Sequence, residues 1–432
     1  MRREPGQLFY LATQGCKVNQ YESQAIRESF IADGLLETHD CALADIVLVN
    51  SCAVTERAVL DLAKLIRGFA ALTPKPWVVV AGCAVEADRE RIKAMTAVDE
   101  IIAQQDKGAL GHQGQQSQPF SSLRISDYNR ARAVIKVQDG CSHGCTYCII
   151  PSTRGRSVSR DPEDVVREAQ LLLDAGIREI SLCGINLRHY GRDLSPASDF
   201  WDLLAAVDRA LAPRWAGRAR LRIGSLEPAD MHAKALATLA QCRIMTPHLH
   251  LSLQSGSPEV LRRMGRGHYG PEEIFAFLKG LDEIWPVYGL GADIIAGFPG
   301  ETEDNLTETL NVVERLPLSY AHVFPYSERP GTPAASFKGS IPGHLRRERA
   351  KLLRQAVERK RALFLRGLLA RPHMDVVLED NGTGMNEFYV ECEVKTEIPQ
   401  HARELVRVVP TGVSPFGLTV RAVHNQSEKE NA

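Results

Sequence analysis

The sequence contains no long hydrophobic run. No stretch of about 18 apolar residues occurs in its 432 residues, so no transmembrane helix is expected. The apolar stretch at residues 8–12 is too short for the core of a signal peptide, and no cleavage site follows it. These absences predict a cytoplasmic protein that has no membrane partner.

The chain also has no overall excess of charge of one sign. The 52 Lys and Arg residues and the 53 Asp and Glu residues give a formal net charge of −1, which by itself argues against a nucleic-acid partner. The charge is unevenly spread, however. Residues 343–371 predict a long helix, and from Arg346 to Arg371 ten basic residues against two acidic ones leave an excess of +8. This favours a surface that faces a polyanion, and a packed helix with a solvated charged face is the alternative.

Cysteine is present in an informative pattern. Three of the ten cysteines fall in one short loop, Cys141-x-x-x-Cys145-x-x-Cys148. Iron–sulfur clusters take thiolate ligands, and three thiolates on a 4Fe-4S cluster leave one iron open to bind another molecule. A zinc site or a disulfide framework is the alternative, but zinc sites favour paired Cys-x-x-Cys units. The loop therefore favours a cluster with an open iron.

Three further cysteines follow three predicted strands. Residues 1–105 alternate β-branched runs with helical stretches, which predicts a parallel sheet covered on both faces. Cys16, Cys52 and Cys83 each come directly after one of the strands, which are predicted at 8–12, 44–50 and 77–81. The carboxyl ends of parallel strands line one crevice, so these thiols should converge. Buried structural cysteines are the alternative, but three at equivalent positions favour a second metal site.

The rest of the chain predicts a linker, a barrel and a small β domain. Residues 106–130 are rich in Gln, Gly and Ser and predict a linker. Residues 131–342 repeat a strand-then-helix rhythm six times, which predicts a partial (β/α)6 TIM-type barrel with the cysteine loop after its first strand. Residues 372–425 predict a β-barrel with strands at 374–378, 387–394, 404–409 and 417–421, and 426–432 predict a polar tail.

Together these motifs resemble the methylthiotransferases of the radical S-adenosylmethionine (SAM) superfamily. The resemblance rests on the Cys141–Cys148 loop and on the contexts Gly-Cys-Lys-Val-Asn, Asn-Ser-Cys-Ala-Val-Thr and Ala-Gly-Cys-Ala around the other three cysteines. It implies an α/β fold with an N-terminal Rossmann-like parallel α/β domain, a central radical SAM partial barrel and a small C-terminal β-barrel similar to the TRAM module.

The resemblance also implies two 4Fe-4S clusters and SAM as cofactors. Cys141, Cys145 and Cys148 would hold the cluster whose open iron binds SAM, and Cys16, Cys52 and Cys83 would hold an auxiliary cluster. Because the cofactors carry the chemistry, no side chain is expected to act as a catalytic acid or base.

Four residues near strand ends are expected to contact SAM or the substrate. The resemblance points to Gly184, through its backbone, for the SAM amino group and to Asp293 for the ribose or the substrate. Ser252 and Gln254 lie on one face of the fourth predicted strand, nearest the barrel mouth. His248 and His250 share that face, and we expect them to be satisfied core histidines.

Basic and aromatic residues near the mouth suggest nucleic-acid contacts. Arg154, Arg156 and Arg160 follow the cysteine loop and could bind phosphate or the SAM carboxylate, with salt bridges at the rim as the alternative. Tyr326 and Arg329 follow the last barrel strand as candidates for base stacking and phosphate contact. Core packing is the alternative for Tyr326.

Two motifs narrow the expected activity. Gly15-Cys-Lys-Val-Asn-Gln-Tyr-Glu-Ser and the segment 324–333 are similar to the subgroup that adds a methylthio group to carbon 2 of N6-threonylcarbamoyladenosine, next to the anticodon at position 37 of tRNA. The expected partners are the tRNA anticodon stem-loop, SAM and a low-potential electron donor of flavodoxin or ferredoxin type. The alternatives are isopentenyladenosine in tRNA, an aspartate of a ribosomal protein, or a non-catalytic RNA-binding iron–sulfur protein.

Overall fold

The computed structural model describes residues 3–110, 123–395 and 401–423. The middle of the predicted linker and the predicted tail, 426–432, lie outside the described residues. Among the residues that the structure describes, no helix is both long enough and apolar enough to cross a membrane.

The N-terminal domain is a parallel sheet with helices on both faces, as predicted. Its strands are β1 (Leu8–Thr13), β2 (Leu36–Glu37), β3 (Ile46–Ser51), β4 (Trp77–Gly82) and β5 (Glu100–Ile102), in the spatial order β2-β1-β3-β4-β5. Its helices are α1 (Lys17–Ala32), α2 (Glu56–Ala70), α3 (Cys83–Ala87) and α4 (Arg89–Lys93). Every residue of β3 is buried, because the strand is central and covered on both faces. The three strands that carry a cysteine at their ends are therefore neighbours in the sheet.

The central domain is the partial barrel that the sequence predicted. Its strands are β6 (Arg132–Asp139), β7 (Val158–Ser159), β8 (Glu179–Gly184), β9 (Arg220–Ile223), β10 (Ser225–Leu226), β11 (His248–Gln254), β12 (Gly289–Ala296) and β13 (Tyr320–Pro325). They form the sheets β7-β6-β8-β9 and β10-β11-β12-β13, and only β7 pairs antiparallel. The helices are α5 (Ile150–Arg154), α6 (Pro162–Asp174), α7 (Phe200–Trp215), α8 (Ala233–Gln241), α9 (Pro258–Arg263), α10 (Pro271–Ile284) and α11 (Glu303–Arg315). Gly224 separates β9 from β10, so the chain passes here from one sheet to the other. The third predicted strand, 220–224, covers β9 but not β10.

The N-terminal domain and the barrel share one apolar core. Phe9 and Ile26 belong to the same cluster of buried residues as Ile135 and Leu182 of the barrel. At this interface the hydroxyl of Tyr21 in α1 donates a hydrogen bond to Glu168 of α6, at 2.9 Å. The helix that begins after Cys16 therefore packs directly on the barrel and sets the position of that cysteine.

A basic helix and a closed β-barrel complete the chain. Helix α12 (Gly343–Leu368) is followed by β14 (Met374–Leu378), β15 (Thr383–Asn386), β16 (Glu391–Lys395), β17 (Leu405–Val413) and β18 (Leu418–Ala422), in the order β14-β15-β16-β18-β17. The prediction of a strand at 387–394 is wrong for residues 387–390, because the strand β16 begins at Glu391. The Asn386 side chain accepts hydrogen bonds from the backbone N–H groups of Phe388 and Val390, which makes residues 387–390 a turn.

The C-terminal barrel packs on the amino-terminal end of the central barrel. Arg220, the first residue of β9, donates to the carbonyl oxygens of Asp375 and Met385 at 2.8 and 2.7 Å. Arg222 contacts the Asn386 carbonyl oxygen at 3.1 Å, and buried Glu179 pairs with both arginines. The C-terminal domain thus lies at the opposite end of the barrel from the cysteine loop.

Candidate functional site

One cavity lies where the carboxyl ends of the strands in the first two domains meet. Its volume is about 810 Å³, and cysteines of both trios line it: Cys16 and Cys52 from the N-terminal domain, with Cys141, Cys145 and Cys148 from the central loop. Its walls also include Asn186, Glu227, Ser252, Gln254, Arg266, Asp293 and Phe324. Two sets of thiols that are far apart in sequence therefore open onto the same space.

Backbone hydrogen bonds hold the central loop at both ends. The N–H of Cys141 donates to the Gly155 carbonyl oxygen at 3.0 Å, and the N–H of Thr146 donates to the Met264 carbonyl oxygen at 3.0 Å. Gly140 has a φ of +66°, and a Cβ there would lie 2.0 Å from the Arg156 carbonyl oxygen. Only glycine permits this approach, so the residue before Cys141 is dictated by the turn.

Strand register brings the N-terminal trio together. Thr13 of β1 pairs with Asn50 of β3, and Ser51 pairs with Gly82 of β4, so the three strands end at the same edge of the sheet. A Cβ on Gly82, whose φ is +99°, would lie 2.4 Å from the Ser51 carbonyl oxygen. The glycine before Cys83 therefore permits close packing between neighbouring strand ends.

The thiols of each trio are close enough to influence one another. Burial raises the pKa of Cys52 to about 11, and the nearby Cys16 and Cys83 add to this rise. Burial raises the pKa of Cys148 to about 12, with further contributions from Cys145 and Cys141. Thiols with raised pKa values stay protonated unless a cation replaces their protons. The mutual proximity of the thiols fits a cluster held by three thiolates at each trio, although Cys83 is buried and does not itself line the cavity.

Three of the four predicted SAM-contacting residues lie on the cavity wall. These are Ser252, Gln254 and Asp293. Gln254 has a φ of +61°, a conformation that costs energy in a non-glycine residue and that clusters at functional sites. Gly184 is not on the wall: a Cβ there would lie 2.9 Å from both Gln138 and Leu187. Their roles toward SAM remain predictions.

Comparisons with known proteins identify the family of this chain. The family model of the radical SAM superfamily matches residues 135–313, and that of the uncharacterized protein family UPF0004 matches residues 8–103. The threonylcarbamoyladenosine tRNA methylthiotransferase MtaB of Bacillus subtilis (strain 168) is 35% identical over 358 residues, which cover 79% of this chain and 78% of the relative. The chain belongs to the radical SAM methylthiotransferases. The chain is therefore a transferase whose central domain uses an iron–sulfur cluster and SAM.

Other relatives have the same general activity. The MtaB protein of Rickettsia prowazekii (strain Madrid E) is 32% identical, with 89% of this chain and 90% of the relative covered. A tRNA-2-methylthio-N(6)-dimethylallyladenosine synthase of Clostridium botulinum (strain Loch Maree / Type A3) is also 32% identical, with 81% of each chain covered. Among solved structures, the radical SAM methyltransferase TsrM of Kitasatospora setae superposes with a TM-score of 0.57 at 15% identity, covering 76% of this chain and 77% of that one. This last likeness shows the fold alone.

One acidic residue of the methylthiotransferase cavity, Glu227, was not predicted from the sequence. Glu227 is buried and accepts hydrogen bonds from Asn186, at 3.3 Å, and from His268. Burial opposes the charge of Glu227, but Arg266 and His268 outweigh it and lower its pKa. Arg266 also approaches the Cys145 sulfur at 3.5 Å. Glu227 directly follows the short strand β10, whereas the third predicted strand ends at Gly224 and so did not point to it.

The arginines after the central loop are mostly not phosphate ligands. The Arg154 side chain is fully buried, and Arg160 pairs with Glu168 in the interior. Only Arg156 of the three is exposed. The prediction of phosphate or carboxylate binding is therefore wrong for Arg154 and Arg160. Both form salt bridges, as the alternative expected, but in the interior and not at the rim.

The predicted contacts after the last barrel strand are also buried. Arg329 pairs with Glu56 at 2.8 Å and with Asp88 at 3.3 Å, so it is not free to bind phosphate. Tyr326 packs edge-on against Phe298, with ring centroids 5.3 Å apart, as the core-packing alternative expects. It also lines the cavity, so its contact with a substrate base stays a prediction. The aromatic residue that the strand does expose is Phe324, at 45%.

The two histidines of β11 are core residues, but the expectation that both are satisfied is confirmed only for His250, whose Nε2 also lies 3.1 Å from Asp293. The Nδ1 of His248 is buried without a hydrogen-bond partner in the described part of the chain. The rings of His248 and His250 each form a hydrogen bond with the Tyr320 hydroxyl, at 3.0 and 2.9 Å. Both histidines are buried.

Many of the basic side chains of α12 contact acidic groups or carbonyl oxygens of the same chain. Arg349 pairs with Glu301 at 2.9 Å, and Arg354 donates to the Val323 carbonyl oxygen at 2.6 Å. Further intramolecular acceptors are contacted by Arg346, Arg359, Lys360 and Arg361. Arg347, Lys351 and Arg366 are exposed. A polyanion-facing role for α12 stays a prediction, and it depends on those three residues.

Proposed function

We propose that this enzyme adds a methylthio group to carbon 2 of N6-threonylcarbamoyladenosine at position 37 of tRNA. In this proposal Cys141, Cys145 and Cys148 hold one 4Fe-4S cluster, and Cys16, Cys52 and Cys83 hold a second. The observation that carries it is the single cavity lined by cysteines of both trios. A radical that activates a carbon and a sulfur that joins it must act on the same atom, so both must reach one space.

The residues around the cavity have supporting tasks. When bound, the two clusters and SAM would supply the radical, the sulfur and the methyl group. Glu227 offers a buried carboxylate to donors of a bound SAM, and Arg266 places a positive charge beside Cys145. Phe324 offers an exposed ring at the cavity on which a substrate base could stack.

The substrate assignment is supported by the relatives. The relatives from Bacillus subtilis and Rickettsia prowazekii are named for threonylcarbamoyladenosine, and the Clostridium botulinum relative is named for dimethylallyladenosine. We assign the first substrate because the residues after Cys16 resemble that subgroup. The reaction would take place in the cytoplasm, with the tRNA anticodon stem-loop and a flavodoxin- or ferredoxin-type electron donor as partners.

Nucleoside mass spectrometry of tRNA tests the proposal. A strain that lacks the protein should lose the methylthio form of threonylcarbamoyladenosine. The wild-type gene should restore it, and the Cys52→Ala variant should not. Loss of the methylthio form of isopentenyladenosine instead would refute the substrate assignment. Unchanged tRNA, with a lost modification on a ribosomal-protein aspartate or with no change at all, would refute tRNA as the substrate.

A further inference from the structure

Five charged side chains form a buried network where the N-terminal domain meets the barrel. Glu22 pairs with Lys107 at 2.7 Å, with Lys136 at 3.1 Å and with Arg154 at 2.9 Å. Asp139 pairs with Lys136 and Arg154, both at 2.9 Å. The side chains of Glu22, the two lysines and Arg154 are at most 2% exposed, and Asp139 is 21% exposed. The network therefore joins α1, β6 and α5 in the interior.

The charges of this network do not balance. Three cations face two carboxylates, which leaves an excess of +1 on the five residues. Burying net charge is costly unless an opposite charge lies nearby. The Nε of Arg154 donates to the sulfur of Cys83 at 3.2 Å, so the excess lies against the N-terminal trio. Three thiolates around an oxidised 4Fe-4S core would carry a net charge of about −1, which is opposite in sign to the excess and equal to it in size.

We propose that Arg154 is a positioning residue of the N-terminal cluster site: it gives the Cys83 sulfur a charge-assisted hydrogen bond. This inference rests on the proposed function, because it requires a cluster on the N-terminal trio. Arg154 lies six residues after Cys148 and ends the short helix that leaves the central loop. The segment that leaves the central cysteine loop therefore also supplies a contact to the N-terminal trio.

The sign of the effect on the cluster follows from charge. Reduction adds an electron to an already negative unit, and a nearby cation or a hydrogen bond to sulfur favours the reduced form. Arg154 should therefore raise the reduction potential of the auxiliary cluster. In the metal-free protein, Arg154→Gln leaves two lysines facing Glu22 and Asp139, a balanced set. The substitution should thus lower the melting temperature less in the metal-free protein than in the cluster-loaded protein, whereas a purely structural role predicts equal losses.

The test compares the wild type, Arg154→Gln and Arg154→Lys, each reconstituted anaerobically as the full chain. Redox titration followed by electron paramagnetic resonance should show a more negative reduction potential of the auxiliary cluster in Arg154→Gln than in the wild type. The shift should be smaller in Arg154→Lys, because lysine keeps the positive charge. The SAM-binding cluster, recognised because its signal changes when SAM is added, should keep its potential. Arg160→Gln is the matched control, since Arg160 is buried nearby but pairs with Glu168. It should shift neither potential.

Two outcomes distinguish a failure of the role of Arg154 from a failure of the proposed function. A wild type that binds about four irons rather than about eight would refute the auxiliary cluster, and with it the proposed function. Eight irons with the same auxiliary potential in the wild type and in Arg154→Gln would overturn the role of Arg154 alone. If Arg154→Gln does not fold, an unchanged potential in Arg154→Lys overturns the role, because the lysine lacks the Nε–H that faces Cys83.

Discussion

Cysteines from both trios reach one cavity by different routes. The central trio lies in a single loop, so peptide geometry alone keeps Cys141, Cys145 and Cys148 close together. The N-terminal trio extends from Cys16 to Cys83 and converges only through the register of β1, β3 and β4. The central site can therefore take shape with its loop, while the N-terminal site requires a folded sheet. The difference predicts that the two sites can be damaged separately.

Removing one cysteine from each trio should have the largest effect. Cys145→Ala should abolish the formation of 5′-deoxyadenosine from SAM, whereas Cys52→Ala should retain it but transfer no methylthio group. Either variant should bind about four irons rather than about eight, because one cluster is lost. Iron analysis and product analysis of the anaerobically reconstituted proteins measure both effects.

Each domain offers a control cysteine that does not line the cavity. Cys41→Ser in the N-terminal domain and Cys242→Ser in the barrel should leave the iron content and both products unchanged. Simultaneous loss of both clusters in Cys52→Ala would show that the two sites do not assemble independently.

Changing the glycine before each trio should give a smaller but equally selective effect. Gly82→Ala should displace Cys83 and reduce auxiliary iron, and Gly140→Ala should displace Cys141 and reduce SAM cleavage. Each added Cβ would meet backbone at 2.4 Å or less, in a conformation that costs roughly 1–3 kcal/mol. Gly144→Ala is the control, because nothing lies within 4 Å of a Cβ there. Equal loss of both clusters in Gly82→Ala would contradict the selectivity.

Lowering the pH should weaken the buried charge network around Glu22, and this effect should be the smallest of the three predicted here. Burial opposes the charge of Glu22, but Arg154 and the two lysines outweigh it and hold its pKa well below 4.5, the ordinary value. A lowered pKa stabilises the folded state above about 4.5, and this stability is lost as the pH falls. Between about pH 7 and pH 4, the free energy of unfolding of the metal-free wild type should fall about 0.8 kcal/mol more than that of Glu22→Gln.

Denaturant titrations of the two metal-free proteins at the two pH values measure this difference. Parallel pH profiles would show that Glu22 does not hold its charge in the folded protein.

Much of the fold could be predicted because its strands carry strong local patterns. The buried run of β3 and the six main barrel strands were recognisable, but β2 and β5 are too short to show a periodicity. In the C-terminal barrel, the side chain of Asn386 creates a turn inside a predicted strand. Of the site residues, Ser252, Gln254 and Asp293 were found from strand ends, whereas Glu227 was missed because it follows a strand broken at Gly224.

The sequence by itself determined the chemistry available to this protein. Six cysteines, three in one loop and three after predicted strands, were enough to predict an iron–sulfur site and a second metal site, because the residue types and their spacing can be read from the chain. Only the tertiary structure decided which charges serve those sites. Arg154 faces Glu22 and Cys83 across the domain interface, and partners so distant in sequence leave no periodic signal. Because its side chain is buried, Arg154 is an internal partner of a cysteine and not the phosphate ligand that the sequence suggested.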